Sequence, residues 1–260
     1  MSEELPDQHP EPETQPQLAR LPPGGSPATA AGLEDRPEAG PWGLLEAFPV
    51  VVFLLLLTGL NLGASERNIS HINIRAVLIS QALLYLLIVL YVHFVVKLRR
   101  RLPFWAALGW RLLAPGRFLF AGLGLALFVQ VLRLPSAKKL PIERLFENAD
   151  AACLLAAFGI LVAPLVEEIL FRGFIFVAVE RSWGVAHAVW ITAVLFGLVH
   201  VPQLIGGIPQ MVAILGVGLV LGWVRAATRS LAACYFIHLS YNTTLFAMLF
   251  IATRGFRNWG

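Results

Sequence analysis

Charge is scarce in this chain: 14% of its 260 residues are Asp, Glu, Lys or Arg, against about 25% for an ordinary soluble domain. That scarcity excludes a soluble globular domain, which needs charged side chains to cover its surface. Cysteine is nearly absent. Cys153 and Cys234 both sit in apolar runs, make no disulfide framework and show no CxxC or Cys/His zinc spacing; they read as small packing residues. HExxH, the common helical zinc-protease motif, is missing. So is a soluble basic domain with stacking aromatics, which removes nucleic acid as a partner. There is no internal repeat, and no pair of broken-helix halves of the kind that would mark a transporter carrying protons on a carboxylate pair.

What is present is apolar: 57% of the chain is hydrophobic, with a mean hydropathy of +0.71. This composition predicts an all-α polytopic transmembrane helical bundle of about seven to eight spans. The net charge of +4 is unevenly spread. Residues 1–41 hold eight acidic and two basic residues, and 42–260 hold eight acidic and eighteen basic. The basic part favours contact with anionic lipid headgroups. Residues 1–41 also hold nine of the seventeen prolines. Such a segment buries too little apolar area to offset its ordering entropy and is expected to be a disordered Pro/Glu-rich tail. It lacks the basic start and apolar core of a signal peptide.

A bilayer core about 30 Å thick needs about 20 apolar residues. Spans are predicted near 44–63, 76–96, 118–134, 151–180, 184–200, 210–224 and 231–251. The segment 102–114, with Phe104, Trp105 and Trp110, reads as interfacial or as an eighth element. The domains follow: the tail 1–41, N-terminal spans and a basic loop in 42–150, a core of later spans in 151–251 and a C-terminal tail 252–260. Lys97, Arg99, Arg100 and Arg101 predict that the loop after the second span is cytoplasmic. His71 and His93 read as interfacial, and His187 as packing. Asn68-Ile69-Ser70 fits a glycosylation acceptor, relevant only in a secretory compartment. Gly216, Gly218 and Gly222 are expected to allow close helix packing.

Against this apolar background three polar patches stand out. The first is Glu167-Glu168 with Arg172, where a charge costs several kcal/mol in lipid and marks a functional site by default. Adjacent residues diverge by about 100° on a helix. Arg172, four residues after Glu168, therefore pairs with Glu168 and leaves Glu167 for other work. Pro164 is expected to bend the helix just before the pair. The second patch is Phe196-x-x-x-His200. The third is His238-x-x-x-Asn242, whose members share a helix face. A carboxylate and a histidine can hold and deprotonate a water, and a second histidine with an amide can donate to an oxyanion. Glu167, His200 and His238 would alternatively serve as ligands to zinc or another divalent metal, if a metal is used. Spacing does not choose between the two.

These three motifs, in this order and in apolar runs, resemble the signature of the CPBP intramembrane proteases, which include the CAAX prenyl endopeptidases and the bacteriocin-processing or self-immunity (Abi) proteins. The resemblance covers about residues 150–250. It implies a helical bundle with a cavity open to the cytoplasmic side. It implies Glu167 as general base with His200 assisting, His238 and Asn242 at the oxyanion, and Glu168 with Arg172 in support. The implied partners are membrane lipids and a membrane-anchored or prenylated peptide or protein. An immunity or binding protein without required proteolysis is the alternative. The size of the chain suggests a bacterial cytoplasmic membrane, with the endoplasmic reticulum as the alternative.

Overall fold

Backbone N–H and C=O groups cannot be left bare in hydrocarbon, so an apolar chain of this kind must satisfy them within helices. The computed structural model describes residues 42–65, 74–131 and 149–257, and among these there is no strand. In order the elements are α1 (Leu44–Ser65), α2 (Ile74–His93), a π-helical continuation π1 (Phe94–Arg99), α3 (Phe104–Ala107), α4 (Pro115–Val131), α5 (Ala149–Leu161), α6 (Ala163–Glu168), π2 (Ile169–Ile175), α7 (Phe176–Trp183), α8 (Val185–Leu204), α9 (Ile208–Thr228) and α10 (Leu231–Ala252). The expected tail, the loop near 135–150, His71 and the Asn68 acceptor lie outside the described residues. Residues Gly40–Gly260 make one compact unit.

Among the described residues six stretches are long and apolar enough to cross a membrane: Leu44–Leu62, Arg75–Arg99, Ala152–Trp183, Val185–Leu204, Ile208–Thr228 and Leu231–Ala252. α4 is apolar but shorter than these. The bundle is thus the expected polytopic one, and 102–114 contributes a single turn of helix, α3, rather than an eighth span. Outward faces carry Leu56 and Leu60 on α1, Leu87 and Leu90 on α2, Phe120 and Phe128 on α4, and Trp190 on α8, all exposed. An exposed apolar belt of this kind suits lipid rather than water.

One boundary differs from the expected ones. α8 runs on through Pro202 to Leu204, so the proline lies inside the helix rather than ending it. The fourth span breaks one residue before the proline's own turn: α5 ends at Leu161, and α6 begins at Ala163 with Pro164 in its first turn. Proline lacks an N–H to donate there, and the first helical turn is where that is tolerated. The C-terminal segment is not free: Phe256 is buried against Phe250 and the α5 residues Ala152 and Ala156.

Close helix approach is set by small residues. A Cβ on Gly122 of α4 would lie 2.3 Å from the Ile237 carbonyl oxygen of α10, and Ser240 Oγ donates to Leu119 O across the same contact at 2.7 Å. On α9, Gly218 and Gly222 face Ala193 and Val189 of α8, while Gly216 meets nothing. Two of the three expected packing glycines therefore pack. Cys234 is buried as expected, but Cys153 is exposed. His187 is also exposed rather than packed, its Nδ1 donating to Trp183 O.

The bundle has two distinct ends. One gathers the start of α1, the loop after π1, and the α7–α8 and α9–α10 connections. There Glu46 is buried, pairs with Arg100 and lies 3.5 Å from Arg99 Nε. Leu231 N donates to Gly109 O at 2.8 Å. The other end gathers the start of α2, the α8–α9 turn and the end of α10.

Candidate active site

The fourth span carries its charge where its helix changes pitch. α6 gives way to π2 right after Glu168, and all seven residues of π2 are buried. Short π-helical segments recur at functional sites. The looser winding leaves carbonyls that side chains reach: Trp42 Nε1 donates to Phe174 O at 2.7 Å, and Arg225 Nε donates to Arg172 O at 3.0 Å.

Glu168 and Arg172 are both fully buried and paired at 2.9 Å. The four-residue spacing delivers the ion pair it predicts. Arg172 also donates to Gly218 O at 3.1 Å and lies 4.6 Å above the Phe196 ring. A buried pair offsets its desolvation only with such extra donors and acceptors. His238 Nδ1 donates to Glu168 Oε1 at 2.9 Å, while its Nε2 stands 3.8 Å from Glu167 Oε2. The two carboxylates diverge, and one imidazole spans the gap between them.

Glu167 is only partly buried, and its Oε1 accepts a 2.6 Å hydrogen bond from the Tyr85 hydroxyl. His200 Nδ1 donates to Phe196 O at 2.7 Å, which leaves Nε2 of the neutral ring as an acceptor. The Phe196 ring lies 4.6 Å from His200 and 5.7 Å from His238. Asn242 Nδ2 donates to Gly159 O of α5 at 2.8 Å; its amide keeps a second N–H. Glu167, His200, His238 and Asn242 all line one cavity of about 400 Å³. Glu168 and Arg172 lie behind its wall.

The cavity walls are otherwise mostly apolar, with Leu155, Phe158, Leu245 and Phe246 among them; Gln81 and Tyr85 enter from α2, Gln203 from α8 and Tyr241 from α10. Its lining comes from the first half of α2, the later half of α8 and the later part of α10, so it occupies the half of the bundle away from the Lys97–Arg101 loop.

Residues 149–244 match the family model of the Rce1-like type II CAAX prenyl endopeptidases. The Rce1-like segment opens at the first residue of α5, ends within α10 and includes all three motifs. The matched family is of the kind those motifs resemble, and the match spans less than half of the chain. No curated protein and no solved structure matches the chain.

Tyr85 lies outside the matched segment, and the sequence offered little to find it by: one tyrosine in an apolar span reads as packing. Arg225 was likewise one basic residue among many, yet it is buried and reaches Leu108 O as well as Arg172 O. As placed, no three His, Cys, Asp or Glu side chains among the described residues form a group that could hold a metal ion. Glu167, His200 and His238 share the cavity without closing around one point.

Proposed function

We propose that the protein is an intramembrane endopeptidase that hydrolyses a peptide bond with a water activated by Glu167. A water at hydrogen-bond distance from Glu167 Oε2 and His200 Nε2 loses its proton to the carboxylate as its oxygen attacks the scissile carbonyl carbon. Negative charge gathers on the carbonyl oxygen. His238 Nε2–H and the second Asn242 N–H donate to it. The proton held on Glu167 then passes to the leaving amine, so the carboxylate is restored when the C–N bond breaks.

His238 donates from Nε2 only as an imidazolium, because Nδ1 already donates to Glu168. No step is assigned to a metal. The substrate is a membrane-anchored or prenylated peptide, whose apolar part the Leu155, Phe158, Leu245 and Phe246 walls would receive away from water.

The observation that carries this reading is that the side chains of three sequence-distant motifs line one cavity. Its test is cleavage of a lipid-anchored peptide by purified protein. Glu167→Gln should lower kcat by about 10²–10⁴-fold, with the protein still folded. Unchanged cleavage would remove Glu167 as the base, and a cellular phenotype that survives the loss of cleavage would point to the binding role instead. Activity that disappears on chelation and returns with a divalent ion would overturn the metal-free form of the mechanism.

A further inference from the structure

We infer that Tyr85 is a positioning residue for the general base, so that the first half of the chain supplies part of the site. This rests on the reading of Glu167 as base. Three observations carry it. The hydroxyl donates to Glu167 Oε1 at 2.6 Å, a short charge-assisted bond of the stronger kind. The phenol ring is stacked on Phe158 of α5, with centroids 5.6 Å apart and planes 16° from parallel, so the hydroxyl is aimed rather than free to swing. Tyr85 also lines the same cavity as the three motifs.

The consequence is a division of labour within one carboxylate. Oε1 is taken by Tyr85. Oε2 is left toward His238 Nε2 and is the oxygen that can receive a proton from water. Without the hydroxyl, the Glu167 side chain can rotate, and the attacking geometry is only one of several. A base misplaced by about 1 Å can cost on the order of 100-fold in rate.

The experiment compares Tyr85→Phe with Glu167→Gln in the purified full chain, using a lipid-anchored peptide and recording kcat, KM and the melting temperature. Tyr85→Phe keeps the stacked ring and removes the oxygen alone. The expected result is a fall in kcat of about 10- to 100-fold, the size of one hydrogen bond to a charged group, with KM within about twofold. If Tyr85 only fastened α2 to α6, the melting temperature would drop while kcat of the folded protein held, and the inference would be overturned. Wild-type kcat in Tyr85→Phe beside an inactive Glu167→Gln overturns the Tyr85 inference and leaves the base intact. Full activity in Glu167→Gln overturns both.

Discussion

Glu167 and Glu168 are neighbours in sequence and opposites in setting. Glu168 is fully buried and receives Arg172 and His238 on the same oxygen. Glu167 faces a cavity and holds one close donor, Tyr85. On the Glu168 side Oε1 takes both donors and Oε2 is buried without one; the arginine is in turn held by Gly218 O, and the Arg172 backbone by Arg225. A charge tied down by its neighbours is structural support, whereas a charge with a spare oxygen beside a cavity can exchange protons. Peptide hydrolysis needs both, since the reacting group must be free while everything behind it stays fixed.

The contrast breaks most visibly if the buried ion pair is opened. Arg172→Leu strands a buried carboxylate and should cost about 3–5 kcal/mol, read as a fall in thermal or denaturant stability in detergent. Glu167→Gln keeps an acceptor for Tyr85 and should change stability by no more than about 1 kcal/mol. If both substitutions destabilise equally, the two carboxylates are one structural network and the comparison fails. Gly122→Ala tests the scaffold away from the site. Its methyl group would collide with the Ile237 carbonyl, and about 1–3 kcal/mol of overpacking cost is expected. Asn242→Ala removes the tie to Gly159 O and one cavity donor; about 1 kcal/mol in stability is expected, with a larger loss in kcat than in KM.

A last measurement perturbs nothing. In a Cys153→Ser, Cys234→Ala background, single cysteines at Trp105 and at Arg254 should label from opposite faces of the membrane. The face that reaches Arg254 is then the one nearer the cavity. Labelling from a single face would contradict the arrangement of the helices.

Much of the fold was legible because apolar runs of spanning length have one stable outcome in lipid. The four-residue spacings were legible for a related reason: in a helix, Phe196 with His200 and His238 with Asn242 must share faces. The pairing of Glu168 with Arg172 followed from the same geometry. What was not legible depends on contacts between distant segments. Nothing in the local pattern marks π2, because its loosened turn is held by Trp42 and Arg225 from elsewhere. The expected span end at 200 is passed, because Pro202 is carried within α8. Arg225, one residue beyond the expected span end at 224, is buried. Tyr85 gains its meaning only when α2 comes to lie beside α6.

The π2 segment has a consequence for length variation in this chain. Its wide turn absorbs one residue more than regular winding would hold. Deleting a single residue between Ile169 and Ile175 would let the span rewind as an ordinary helix. Everything from Phe176 onward would keep nearly the same facing relative to the carboxylates, but the Phe174 and Arg172 carbonyls would return to the helix ladder and Trp42 and Arg225 would lose them. Elsewhere in a span the same deletion would turn all that follows by roughly 100°; here it would remove only the wide turn and the contacts it opens.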